Sequence, residues 1–191
     1  NGHVLCMAST PSYNPNKIIQ KPNKEYWDSI LENELSPLTY RCIQGLYAPG
    51  STFKMVVAIA GLVHGIIDTN TKHFCSGKIG LGDRLYHCWK NNGHGLMNVS
   101  DAIKESCDVF FYEISKKIGI DKIAKVAEDF GLGKIYDVPL PNQKKGIIPS
   151  REWKKKKYDE SWYPGETLIS AIGQGFVLTN PLQLAVMTSI I

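Results

Sequence analysis

The sequence predicts a mostly helical domain with one early strand, and it reads as an excerpt of a longer fold. Three observations predict it. The apolar run from Met55 to Val63 is too long for an ordinary strand and describes a helix buried nearly all round. Segments after Ser100 and after Pro181 bring apolar residues back at near-helical spacing. Gly2 to Ala8 alternates, carries a β-branched residue and is flanked by turn formers, so it reads as a strand whose partner lies upstream.

The elements follow in order. Residues 10 to 26 carry Pro11, Pro15 and Pro22 among several asparagines and predict an irregular loop. Trp27 to Leu35 predicts a short helix. Pro49-Gly50 fixes where the buried helix starts. Residues 72 to 98 are rich in Gly, Cys, His and aromatics without periodicity, which predicts a loop or short ribbon in need of an internal tie. Helix resumes at Ser100, with Val109 to Ile118 amphipathic, and Asp121 is placed as the cap of a helix that ends in a glycine cap around Phe130-Gly131-Leu132-Gly133. Residues 134 to 165 read as a long surface excursion. Thr179-Asn180-Pro181 starts a last helix, and the chain stops inside it.

Composition excludes several classes. With 191 residues, 43% of them hydrophobic and 21% charged, the chain is neither disordered nor fibrous. No apolar stretch has the length of a membrane-spanning helix, and Asn1-Gly2-His3 is not a signal-peptide start. A net charge of +4 is too thin for nucleic acid, and Lys154-Lys155-Lys156-Lys157 reads as a solvated face. Five cysteines, an odd number, fit metal ligation or buried thiols better than a disulfide framework.

Two constellations carry chemistry. At the mouth of the buried helix, Ser51 and Lys54 stand three residues apart on one helical face, so the ammonium can reach the hydroxyl. A serine hydroxyl is a weak nucleophile until a base takes its proton, and an ammonium partly desolvated by apolar neighbours gives up its own proton more readily. The helix N-terminus adds N–H groups suited to an oxyanion. Taken alone, the spacing equally describes a capping serine beside a surface lysine. The second constellation, Glu105-Ser106-Cys107-Asp108, lies between two helical segments. There Ser106 could relay a proton and Asp108 could orient substrate or the lysine; taken alone, both are also ordinary helix caps.

Together these residues resemble a family. Tyr40 to Lys54, with Pro49-Gly50-Ser51-Thr52-Phe53-Lys54 at its end, is similar to the nucleophile region of class B penicillin-binding proteins. Further stretches resemble the elongation-type members: Val4 to Asn16, Trp89-Lys90 with Gly93-His94-Gly95, Ser106 to Tyr112, Pro149 to Lys154, and Ile172-Gly173-Gln174-Gly175. The resemblance implies an α/β fold of the penicillin-binding protein transpeptidase or serine β-lactamase-like kind, an antiparallel sheet flanked by helices, here truncated at both ends. Residues 1–191 would be a partial transpeptidase domain, with a membrane anchor and pedestal before it and the remaining strands after it.

The resemblance further implies a DD-transpeptidase that cross-links peptidoglycan stem peptides at the periplasmic face of a bacterial inner membrane and is acylated by β-lactam antibiotics. Ser51 would be the nucleophile, Lys54 its base, and Ser106 and Asp108 the second motif, with Asp where many relatives carry Asn. The third motif, Lys-Thr-Gly or Lys-Ser-Gly, is absent from residues 1–191. It is expected on a strand beyond Ile191, so the excerpt alone is expected to have little activity. Implied partners are the glycan polymerase and shape-determining membrane proteins of the elongation machinery; no nucleic acid and no organic cofactor is implied. The same motifs also serve serine β-lactamases and β-lactam sensor domains, and Glu166 could tempt a deacylation-base assignment. A non-catalytic penicillin-binding module leaves both intact motifs without a reason.

Cys75, Cys88, His94 and Cys107 follow one another at 13, 6 and 13 residues and supply three thiolates and one imidazole, the ligand set of a closed structural zinc site. No CxxC pair supports it, and unrelated buried cysteines give the same list. The loop from 72 to 98 has few apolar anchors, however, and its ligands converge on Cys107, inside the Ser-Cys-Asp motif. A zinc there would lock the loop to the catalytic turn. His73 and His87 are spare ligands, and Cys6 and Cys42 are placed as core thiols.

Overall fold

The computed structural model describes residues 2–19 and 23–191. Residues 2 to 9 form no strand, contrary to the sequence reading. A strand exists only where a neighbour takes its backbone groups. Here side chains take them instead: the Tyr40 hydroxyl donates to the Met7 carbonyl at 2.9 Å and the Cys42 thiol to the Ala8 carbonyl at 3.0 Å. The expected loop contains a short helix, α1 (Pro15–Ile19), while residues 20–22 of that prediction, Pro22 included, lie outside the described residues. Helix α2 (Lys24–Leu31) starts three residues before the predicted Trp27, because the Asn23 side chain accepts from the Glu25 and Tyr26 N–H groups. Helix α3 (Arg41–Gln44) follows.

The centre of the fold is a 3₁₀ turn, Gly50–Phe53, running directly into α4 (Lys54–Val63). Val56, Val57, Ala58, Ala60 and Gly61 are buried, whereas Leu62 and Val63 are exposed, so burial all round ends before the last turn. Then come β1 (His73–Cys75), β2 (Lys78–Leu81), β3 (Arg84–His87) and β4 (Gly95–Met97). They make two antiparallel ribbons, β1 with β4 and β2 with β3, as the predicted short ribbon requires. Among the described residues the only other β pairing is two isolated bridges, Tyr47 with Thr179 and Ile147 with Leu178.

Helices α5 (Val99–Lys104), α6 (Asp108–Ile118) and α7 (Ile120–Asp129) follow, then α8 (Arg151–Tyr158), α9 (Pro164–Ala171) and α10 (Pro181–Ile190). Helix α6 is the axis of the core. Val109, Phe110, Phe111 and Ile114 are all buried, packed with Phe53 of the 3₁₀ turn, Val56 and Val57 of α4, Ile123 and Ala127 of α7, and Leu168 and Ala171 of α9. Each such side chain withdrawn from water contributes about 1.5–3 kcal/mol, which fixes α4 and α6 relative to one another and hence the motifs at their N-termini. Asn180 caps α10 as predicted, accepting from the Gln183 N–H at 3.0 Å.

Two sequence readings are corrected here. Asp121 does not cap α7: Gly119, at φ +80°, takes the cap position, and Asp121 in the first turn instead accepts the Arg151 N–H at 3.0 Å. A glycine there lets α6 stop and α7 start with no linker. The basic run is not wholly solvated either. Lys155, Lys156 and Lys157 are exposed, but Lys154 is 2% exposed, with its ammonium 2.5 Å from Glu166 and 4.3 Å from the centre of the Tyr163 ring. Burial works against that charge, and the Glu166 carboxylate, helped by Glu160, outweighs it and holds the lysine pKa above its ordinary value.

Candidate active site and metal centre

Ser51 sits in the 3₁₀ turn that opens α4, where backbone N–H groups have no intrahelical acceptor. The turn is held from outside: the Gly50 N–H donates to the Gly173 carbonyl at 2.9 Å. Gly173 has φ +69°, and a Cβ on it would lie 2.2 Å from the Gly50 carbonyl oxygen, so only glycine fits where α9 delivers the chain to the Ser51 turn.

Ser106 comes from the end of α5. The Ser106 N–H donates to the Ile103 carbonyl at 3.1 Å and the Cys107 N–H to the Ala102 carbonyl at 2.9 Å. That crossed pair is a Schellman closure whose left-handed position is normally glycine. Here it is Ser106, at φ +51°. The strained backbone holds a hydroxyl where glycine would offer none.

Lys54 is 2% exposed and spends its donors on one neighbourhood: the Ser106 carbonyl at 2.8 Å, the Ser106 hydroxyl at 3.0 Å and Asp108 Oδ1 at 2.5 Å. The Ser106 hydroxyl in turn donates to Ser51 Oγ at 2.9 Å. The sequence spacing lets the ammonium reach Ser51. Instead the link passes through Ser106, because the Asp108 carboxylate draws the ammonium toward the start of α6. That position also suits a carboxylate at a helix N-terminus. Asp108 Oδ2 accepts the Trp89 N–H at 3.0 Å, and the Trp89 indole N–H donates to the Glu105 carbonyl at 3.1 Å.

Ser51, Ser106 and Asp108 thus line one cleft of about 590 Å³, and Lys54 lies buried behind it in contact with Ser106 and Asp108. Its walls add Tyr112, Trp89, Ile172 and Gln174. Tyr112 was legible in principle, since it lies one helical turn beyond Asp108 on α6. Burial, then the Asp108 charge, pushes its phenol above the ordinary tyrosine range.

The four predicted metal ligands also converge. Cys75, Cys88, His94 and Cys107 place their ligand atoms within 4.8 Å of one another. His94 Nδ1 is 3.6 Å from both the Cys75 and the Cys88 sulfur. In a tetrahedron with Zn–S about 2.3 Å and Zn–N about 2.0 Å, sulfur and nitrogen ligands lie roughly 3.6 Å apart, so the residues fit a zinc ion. Burial raises the pKa of the Cys107 thiol and, ahead of the nearby Lys90 charge, lowers that of His94, which favours the neutral imidazole a metal needs. His73 and His87 are not part of the cluster: His73 packs edge-on against Phe110, and His87 turns to the cleft. Cys6 and Cys42 are not core thiols, since Cys6 is exposed and Cys42 half-buried.

Comparison with known proteins gives a match to the penicillin-binding protein transpeptidase domain over residues 1–191. The chain belongs to that family. It is 37% identical over 186 residues to the peptidoglycan D,D-transpeptidase MrdA of Escherichia coli K12, covering 96% of this chain and 29% of that protein. Pseudomonas aeruginosa PBP2 in complex with WCK 5153 superposes with a TM-score of 0.91 at 38% identity, covering 96% of this chain and 42% of the other. A complex of Helicobacter pylori PBP2 with MreC gives 0.90 at 38% identity, with 93% and 33% covered. The chain therefore has the penicillin-binding protein transpeptidase fold and spans well under half the length of these relatives. Among its described residues no helix is long and apolar enough to cross a membrane.

Proposed function

We propose that residues 1–191 hold the nucleophile half of a peptidoglycan D,D-transpeptidase of cell elongation. The observation that carries this reading is the chain of contacts from Asp108 to Lys54, Ser106 and Ser51. With Lys54 neutral, the Ser51 proton passes through the Ser106 hydroxyl toward the lysine amine as Ser51 Oγ attacks the penultimate D-Ala carbonyl of a stem peptide. The new C–O bond forms first and leaves a tetrahedral oxyanion, whose collapse breaks the C–N bond as the proton returns by the same route to the departing D-Ala amine. An acceptor amine then attacks the ester, forms the cross-link and restores Ser51. Asp108 holds the lysine side chain in place through the cycle. A β-lactam is opened in the same way, but its amine stays tethered and the ester persists.

The third motif, on a strand outside residues 1–191, completes the oxyanion site, so the isolated segment acylates poorly. A structural zinc on Cys75, Cys88, His94 and Cys107 ties the ribbons to the catalytic turn: Cys107 follows Ser106, and Cys88 precedes the Trp89 whose N–H holds Asp108. Four protein ligands leave it no open position for water activation. The intact protein works at the periplasmic face of the inner membrane with a glycan polymerase and an MreC-like partner; the Helicobacter pylori relative in complex with MreC supports the latter. A serine β-lactamase is disfavoured because Glu166 spends one oxygen on Lys154 and the other on the Tyr163 N–H. The test is cross-linking of stem pentapeptides with release of D-Ala by the intact protein. Loss of both in Ser51→Ala supports the reading; D-Ala release that survives the substitution overturns it.

A further inference from the structure

Beside the nucleophile cleft lies a larger groove, about 980 Å³, between β3 and the start of α9. His87 and Tyr112 line both, so the two are continuous. Its walls differ from those of the cleft in three respects.

The first is a free strand edge. Every residue of β3, Arg84 through His87, lines the groove, whereas β2 contributes Leu81 alone. The two-residue turn at Gly82 and Asp83 pairs Leu81 with Arg84, and antiparallel pairing alternates from there, so Leu85 and His87 turn their backbone groups away from β2. The His87 carbonyl is taken by the Tyr112 hydroxyl at 3.4 Å, which puts that edge on the groove side and leaves the Leu85 N–H and carbonyl and the His87 N–H as its unpaired groups among the described residues. No further strand covers it among the described residues. The second is charge. Arg84 has no carboxylate partner among the described residues, and the one acid of the groove, Glu166, is neutralised by Lys154. The third is Ser170, 1% exposed on the α9 wall, whose hydroxyl has no hydrogen-bond partner.

We propose that this groove is a peptide subsite. An extended, carboxylate-bearing peptide adds to the free edge of β3, sets its carboxylate against Arg84, covers the exposed Leu85 and Tyr163, and runs past His87 and Tyr112 toward Ser51. Backbone pairing gives the register and the guanidinium gives the preference for an acidic chain. A sugar or an apolar ligand would use neither the strand edge nor the cation. The proposal rests on the acyl-transfer reading for identifying the peptide as one of the two stem peptides of the reaction.

The test is binding of two fluorescent stem peptides, one with its side-chain carboxylate free and one with it amidated, to the intact protein carrying Ser51→Ala, so that nothing turns over. The free acid should bind on the order of tenfold more tightly. Arg84→Ala, a change at an exposed side chain that thermal unfolding can verify, should erase the difference, and Arg84→Lys should keep most of it. An equal affinity for both peptides, or a preference that survives Arg84→Ala, overturns the proposal. Labelling of the unsubstituted protein by penicillin reports separately on acyl transfer. Labelling without an Arg84-dependent preference removes the subsite alone, and the preference without labelling removes acyl transfer alone.

Discussion

Gly50 donates its backbone N–H to the Gly173 carbonyl across a gap that would place a Cβ on Gly173 only 2.2 Å from the Gly50 oxygen. The Ser51 turn and the Gly-Gln-Gly segment are therefore in backbone contact. Gly173→Ala must move one of them and also forces an alanine to φ +69°. The expected cost is about 2 kcal/mol of stability, with penicillin acylation of the intact protein slowed on the order of tenfold or more. Thermal unfolding and labelling kinetics measure both, and unchanged values would show that the contact does not set the position of Ser51.

Ser106 has two separable properties, a hydroxyl and a left-handed backbone. Ser106→Ala and Ser106→Gly both remove the hydroxyl, and both should slow acylation on the order of 10²-fold. Only the glycine variant relaxes φ +51°, so it should be the more stable of the two by about 1 kcal/mol. Chemical denaturation of the pair decides it; equal stabilities would mean that the turn carries no strain.

Lys154 and Glu166 join α8 to α9 through a buried ammonium. Removing one partner strands the other, so Lys154→Met alone should lower the melting temperature more than Lys154→Met combined with Glu166→Gln. A double variant melting below both single variants would show that the pair is not what couples the helices.

A zinc site at Cys75, Cys88, His94 and Cys107, as proposed, predicts one zinc per chain in native mass spectra, lost in Cys107→Ser and kept in Cys42→Ser. Thiols and imidazole must shed protons to bind, and burial raises the Cys107 pKa, so uptake releases protons and affinity climbs with pH; acidification should strip the ion. A folded, reduced sample without zinc contradicts the site.

Much of this was legible in the sequence because the signals were local. The apolar run after Lys54, the Asn180-Pro181 helix start and the helical spacing after Asp108 each encode their own element. The four candidate catalytic residues, placed by motif order and family resemblance, and the four candidate Cys/His ligands, chosen by residue type, are each brought together by the fold. What depended on distant partners was misread. Gly2 to Ala8 has strand composition but its carbonyls find side-chain donors in place of a ladder, and Lys154 sits in a run of four lysines but is itself buried by its pairing with Glu166 twelve residues away. The Ser51 to Lys54 spacing could not reveal that Asp108 would pull the ammonium away and leave Ser106 as the intermediary.

The most direct test of that intermediary is the mass of the intact protein after exposure to a penicillin, with the adduct mapped by proteolysis, in the unsubstituted protein and in Lys54→Ala, Ser106→Ala and Asp108→Ala. A single, long-lived penicilloyl group on Ser51, formed at rates that fall on the order of 10²-fold or more in Lys54→Ala and Ser106→Ala and less in Asp108→Ala, is the predicted result. An adduct on another residue, or one formed on Ser51 at an undiminished rate in Ser106→Ala, would contradict the relay.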